Sequence, residues 1–266
     1  MIAGANLAEI ASLVGEPSRA NMLLALLDGR ALTATELAFA AHVSPQTASE
    51  HLARLVDGRL LAVVKQGRFR YYRLDSLLVA RAIESLSAFA SMEAPPRHRP
   101  RSARDEALLL ARTCYDHLAG RLGVALADAL AARGHIVLGE DGGEVTEAGA
   151  AFLQDFGVDL SAAGRQRRIF CRPCLDWSER RPHLAGALGA ALASRCFALG
   201  WIARHRDSRA LVIRPSGEDG LRRTFGLLVE RPSGELPSIR AVPAAAEEAQ
   251  PARRLRTRST AARQPA

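Results

Sequence analysis

The chain has 266 residues, a formal net charge of +8 and a hydrophobic fraction of 48%. That length exceeds one small domain of roughly 100–150 residues, so two domains with connecting segments are expected. No apolar run reaches the roughly 20 residues of a membrane span, and a basic chain suits a polyanionic partner.

Residues 1–10 lack a basic leader and carry Glu9, so no secretory signal is expected. That points to the cytoplasm, where the four cysteines would stay reduced. A helix is expected over residues 6–14. Gly15, Glu16, Pro17 and Ser18 open a second helix with Met22, Leu23, Leu26 and Leu27 as its apolar stripe. Thr33 is placed to cap a short helix over 33–41, with Leu37 and Ala38 inward. His42 and Val43 make a turn. Ser44 and Pro45 then supply the N-cap and first position of a helix over 46–56, which Asp57 and Gly58 stop. Ala48, Leu52, Leu55 and Val56 share one face of it, while Gln46, Thr47, Ser49, Glu50 and Arg54 fall elsewhere.

Two strand-like runs, 60–64 and 69–74, join at 66–68 as a hairpin that carries Lys65, Arg68, Arg70 and Arg73. From Arg54 to Arg73 there are six basic residues against Asp57 alone. A polar-faced helix before a basic ribbon fits a major groove with phosphates beside it. The candidate DNA-binding residues are Ser44, Gln46, Thr47, Ser49, Glu50, His51, Arg54, Lys65, Arg68 and Arg70. His51 reads equally as a phosphate contact and as a polar end of the helix. After the ribbon, Asp75 is placed to cap a helix over 76–89. Its stripe at Leu78, Ala82, Leu86 and Phe89 has little of a winged domain to cover. Leu78, Leu86 and Phe89, with Leu7 and Ile10, form the expected dimer seam.

Residues 6–90 resemble the arsenic-repressor (ArsR/SmtB-type) winged helix-turn-helix regulators. The matching stretches are 15–19, 35–38, 43–55 and 67–74. The resemblance implies a homodimer that represses a promoter and releases it when an effector binds. The metal ligands that the resemblance implies are missing. The helix over 33–41 has no cysteine, and residues 75–89 contain no histidine, so DNA binding carries over and the ligand does not.

Residues 94–102 read as a proline- and arginine-rich linker. Beyond them a helix is expected over 104–119, another over 123–132, a hairpin over 135–146, and a helix over 147–156. The second half reads as mostly helix over 178–200 and a hairpin pairing 201–205 with 210–214. Helix, helix and hairpin recur, which suggests a second winged-helix-like unit. A fainter resemblance, through residues 112–120 and 174–180, is to the extra domain fused to some regulators of the same family. The fold class expected is mainly α with small β-hairpins. The expected domains are 4–92 for DNA binding and dimerisation, 93–103 as linker, 104–229 as effector domain, and 230–266 as a disordered basic tail.

All four cysteines, Cys114, Cys171, Cys174 and Cys196, fall in the effector region. Cys171 and Cys174 have the two-residue gap that lets both sulfurs reach one metal or one another. Cys114 and His117 would share a helix face. Cys114, His117, Cys171 and Cys174 are therefore candidates for a soft or transition metal ion or for a thiol switch. The bland reading makes Cys114 and Cys196 small core residues. Tyr115, Asp116, Trp177, Glu179, Arg180, Arg181 and His183 would neighbour such a site, or line a pocket for a small organic inducer. The function expected is a dimeric DNA-binding regulator, a repressor of double-stranded operator DNA released by an effector not yet identified, with no membrane partner. The alternative is a CxxC-dependent thiol oxidoreductase. Its context is wrong, because basic residues rather than a buried strand precede Cys171, and no catalytic motif is present.

Overall fold

Local capping chemistry sets the boundaries of the first helices. The computed structural model describes residues 2–67, 69–93, 102–140, 142–205, 208–230 and 238–242, in two units. The first unit takes the described residues within 1–100, 113–116 and 204–209. It opens with α1 (Ile2–Val14) and α2 (Pro17–Ala25). The Glu16 carboxylate accepts from the N–H groups of Ser18 and Arg19 at 3.0 and 2.7 Å and so caps α2. β1 (Leu32–Thr33) leads into α3 (Ala34–Ala41), where Thr33 and Glu36 form a capping box. His42, left-handed at φ 56°, ends α3. Ser44 Oγ accepts from Thr47 N at 3.1 Å and starts α4 (Pro45–Asp57).

β2 (Leu61–Gln66) and β3 (Phe69–Leu74) follow as an antiparallel hairpin, and β1 adds to give the sheet order β1-β3-β2. α5 (Leu77–Glu93) closes the unit. Its start is at Ser76, whose hydroxyl accepts from Val79 N at 3.4 Å, one residue later than expected. Met22, Leu23, Leu26, Leu37, Leu52, Leu55, Leu61, Leu74 and Ile83 are buried together as its core. These are the apolar faces that helical spacing assigns.

The second unit takes the described residues within 101–112, 117–203 and 210–266. Its elements are α6 (Ala103–Leu110), β4 (Arg112–Cys114), β5 (His117–Ala119), α7 (Gly120–Ala132), β6 (Ile136–Leu138), β7 (Gly143–Val145), α8 (Glu147–Asp155) and α9 (Leu160–Gly164). There follow β8 (Arg172–Leu175), β9 (Pro182–Ala185), α10 (Gly186–Ala198), β10 (Ile202–Arg204), β11 (Leu211–Ile213), α11 (Pro215–Phe225), β12 (Leu227–Glu230) and β13 (Ser238–Ala241). The strands pair as β4-β5, β6-β7, β8-β9, β10-β11 and β12-β13. Mainly helical with small hairpins, the architecture is of the expected class.

Two expected helices are corrected. The helix over 104–119 ends at Leu110, and a hairpin replaces its second half. Thr113, Cys114 and Tyr115 favour extended backbone, and Tyr115 turns the chain at φ 57°. Arg112 is drawn instead to Asp176, 2.6 Å away in the buried interior of the unit. The helix over 178–200 begins only at Gly186, because residues 182–185 pair with β8 as β9. The expected disordered tail also begins too early. Residues 238–241 pair with β12, and Ile239 packs against the core. The linker over 94–101 and the tail from 243 lie outside the described residues.

The second unit is built twice. Arg112, Cys114 and Asp116, followed by His117, Leu118, Ala119, Gly120, Leu122 and Gly123, reappear as Arg172, Cys174 and Asp176, followed by His183, Leu184, Ala185, Gly186, Leu188 and Gly189. The copies β4-β5-α7-β6-β7-α8 and β8-β9-α10-β10-β11-α11 follow one order of elements. α7 and α10 each span 13 residues and start at a left-handed glycine, with φ 74° at Gly120 and 84° at Gly186. A Cβ on Gly123 would stand 2.4 Å from Leu118 O, and one on Gly189 would stand 2.4 Å from Leu184 O. Only glycine lets each helix lie that close to the strand before it. Leu118, Leu122, Leu126, Leu130, Leu184, Leu188, Leu192, Leu221 and Phe225 fill the common core.

Candidate functional site

The first candidate surface lies on α4 and the hairpin. Ala48, Leu52 and Leu55 are buried and anchor α4. Gln46, Ser49, Glu50 and Arg54 are exposed, as is Ser44. Thr47 is half-buried, and its hydroxyl lies 2.9 Å from that of Ser44, so it joins the cap at the helix start. Ser49 Oγ donates to Pro45 O at 2.9 Å. On the hairpin Lys65 and Arg70 are exposed cross-strand partners. Arg68 lies outside the described residues.

His51 departs from its neighbours. It is half-buried, with Nδ1 at 3.3 Å from Arg19 Nη1 and Nε2 at 3.7 Å from Glu16 Oε2. These contacts tie α4 to the start of α2 and favour the structural reading of this residue. The expected seam residues all reach the surface. Leu7, Leu78, Leu86 and Phe89 are 70, 75, 52 and 67% exposed, and Ile10 is 36% exposed. All lie on α1 and α5.

The cysteines separate in the second unit. Cys171 precedes β8 and Cys174 lies within it; of the two, Cys174 is the one grouped with the histidines. Cys171 is buried in the apolar core, and burial pushes its thiol up to about 12. Cys196 in α10 is likewise raised to about 12 by burial, although nearby Arg195 acts the other way. Cys196 fits the reading of a small core residue, and Cys171 is buried in the same way. Cys114 does not share a helix face with His117; the two flank the two-residue turn of the β4-β5 hairpin. Residues 113–116 group with the first unit, where the Cys114 thiol donates to Glu84 Oε1 at 2.8 Å.

What the second unit assembles is His117, Cys174 and His183. Each offers a donor atom within 4.8 Å of the others, and all three are buried. Cys174 and His183 are direct cross-strand partners on β8 and β9. His117 Nε2 lies 3.1 Å from His183 Nε2, and the two rings stack at 5.1 Å. Each imidazole rests on the other copy's helix. A Cβ on Gly189 would lie 3.3 Å from His117 Cβ, and one on Gly123 would lie 3.5 Å from His183 Cβ.

Asp176 supports this cluster. It accepts from Arg112 at 2.6 Å, from Gly120 N at 2.7 Å, and from the N–H and hydroxyl of Ser178 at 2.9 and 2.8 Å. Burial alone would raise its carboxyl, but Arg112, His183 and these donors hold it well below the usual carboxylate range. The Arg112 guanidinium also lies 4.4 Å over the Trp177 ring. His183 Nδ1 is 3.5 Å from Asp176 Oδ2 without a hydrogen bond, so the carboxylate stands beside the ring without binding it. Burial keeps His183 below the ordinary imidazole range, while Cys174 and Asp176 pull it upward. A neutral imidazole with an accessible lone pair is the form that ligates a metal.

Sequence reasoning placed His183 beside the site but not within it. Spacing gives no hint, since His117 and His183 are far apart in the chain. The repeated motif does: in both copies a histidine opens the run that continues Leu, Ala, Gly, and in both a cysteine precedes it.

Comparison with known proteins agrees with the first surface. A family model described as a helix-turn-helix domain matches residues 14–64. The HTH-type transcriptional regulator YdfF of Bacillus subtilis strain 168 is 45% identical over 213 residues, 80% of this chain and 94% of its own. An alignment of that length extends well into the second unit. Among solved structures, HlyU of Vibrio cholerae is 28% identical over 32% of this chain and 92% of its own, with a TM-score of 0.30. The homodimeric winged helix-turn-helix domain of Mb0332 from Mycobacterium bovis is 24% identical over 36% of this chain and 89% of its own, with a TM-score of 0.32. With its capped helix-turn-helix, its basic hairpin and a relative matched over nearly its whole length, this chain belongs to the helix-turn-helix transcriptional regulators.

Proposed function

We propose that the protein is a homodimeric repressor acting on double-stranded operator DNA in the cytoplasm. α4 enters the major groove, and the β2-β3 hairpin lies against phosphates. The observation that carries this reading is the exposed polar face of α4 at Gln46, Ser49, Glu50 and Arg54, with Lys65 and Arg70 presented side by side on the hairpin. Residues within 4–92 bind DNA and dimerise, and those within 104–241 house the effector site. Thiol oxidoreduction is disfavoured, because a reactive thiol needs a lowered pKa and access, whereas Cys171 is buried and raised to about 12.

Arg70→Ala and Gln46→Ala test the assignment by titration of operator and random DNA across a range of salt. Each phosphate contact releases about one counterion, so Arg70→Ala should weaken both DNAs alike and lower the salt slope by about one. Gln46→Ala should keep the slope and lose preference for the operator. An unchanged affinity and slope for Arg70→Ala would remove the hairpin from the interface.

A further inference from the structure

His117 and His183 are buried imidazoles whose Nε2 atoms face each other at 3.1 Å, with Cys174 beside them. Metal–nitrogen bonds of about 2.0–2.1 Å at a tetrahedral angle bring two ligand nitrogens to about 3.3 Å, close to the spacing seen. Asp176 Oδ2 stands 3.5 Å from His183 Nδ1, the ring nitrogen turned away from His117, where a ligating histidine finds its carboxylate partner once the N–H is aligned. Gly123 and Gly189 let each histidine Cβ lie close to the opposite helix, where a Cβ on the glycine would stand 3.5 Å from His183 Cβ and 3.3 Å from His117 Cβ. The duplication explains how the cluster arises: each copy supplies a histidine at the start of its second strand, and the two meet.

We infer that His117, Cys174 and His183 are ligands of one borderline divalent cation of the zinc class, in a site created by the internal duplication of the second unit. Two imidazoles and a thiolate are the donor set for such an ion, and no carboxylate oxygen belongs to the group, which disfavours magnesium or calcium. Three protein donors leave one position of a tetrahedron open. None of the three ligands lies on α3 or α5, where the metal sites implied by the winged-helix resemblance would fall. The inference stands on the second unit and does not rest on the DNA-binding reading.

Titration of the metal-stripped full-length protein with Co²⁺ tests it. The expected result is a visible spectrum of tetrahedral cobalt with thiolate-to-metal charge transfer at one equivalent, bleached by one equivalent of Zn²⁺. Cys174→Ser should lose the charge-transfer band. His183→Gln should bind cobalt more than about 100-fold more weakly, beyond the loss from an outer-shell partner. Thermal unfolding guards against a variant that fails to fold: Zn²⁺ should raise the melting temperature of the unmutated protein, and not that of either variant. A colourless protein at saturating cobalt overturns the inference and leaves a hydrogen-bonded histidine pair. A charge-transfer band that survives in Cys174→Ser overturns it equally.

Discussion

Asp176 shows how much one buried charge can organise. It neutralises Arg112, ties down the start of α7 through Gly120 N–H, and faces His183. Removing one member of a buried ion pair leaves the other uncompensated, which costs about 3–5 kcal/mol. Asp176→Ala should therefore lower the unfolding free energy of the second unit, measured by urea titration, by that much at neutral pH. The sign of the pH dependence follows from its depressed folded-state pKa. The stabilisation is fully present above the ordinary carboxylate value of 3.8 and is lost as pH falls below it. The difference between the unmutated protein and Asp176→Ala should thus narrow on acidification below pH 4. A difference that stays constant down to pH 2 would show that the carboxylate is not held ionised by its partners.

At the level of elements, the second unit depends on close approach between helix and strand. In Gly123→Ala the new methyl meets Leu118 O at 2.4 Å and pushes towards His183. The backbone or the ring must move, and overpacking of this kind costs about 1–3 kcal/mol. Gly164, in α9, has nothing within 4 Å of its Cβ position, so Gly164→Ala should be neutral or slightly stabilising. Comparing the two by thermal unfolding separates steric contact from helix propensity; equal melting temperatures would remove the steric argument. The same elements show what sequence makes legible. Thr33 and Ser44 determine their helix starts by bonds to residues three positions on, with Pro45 preset for the first turn, so spacing alone located α3 and α4. β4 and β5 could not be found that way. Leu108, Ala111 and Tyr115 continue a helical spacing, and what breaks it is Arg112 reaching Asp176 across the fold. Cys171 misled for a related reason: the two-residue gap does not reveal that Cys171 is buried in the apolar core while Cys174, on β8, joins the histidines. His183 was recoverable in principle, through the repeat of His, Leu, Ala and Gly rather than through local pattern.

For the whole molecule, the exposed apolar residues of α1 and α5 bear on assembly. Leu78, Leu86 and Phe89 are each more than half exposed on one helix, and Leu7 and Ile10 also reach the surface. Scattered single hydrophobics need no explanation, but five on two helices of a small unit form the kind of patch that a partner covers. On the proposed homodimer reading, a second copy of the chain is that partner. Two recognition helices must reach successive major grooves about 34 Å apart, which one copy of α4 cannot do. Such a contact is isologous, so each residue at the seam is met twice and a single substitution acts twice. Leu86→Glu would bury an unpaired carboxylate on both sides, at a cost of several kcal/mol. The variant should sediment as a folded monomer with unchanged far-ultraviolet circular dichroism. Its affinity for a palindromic operator should fall towards that for a single half-site, while its salt slope per bound subunit stays the same. A Leu86→Glu protein that remains dimeric at micromolar concentration places the seam elsewhere than α5.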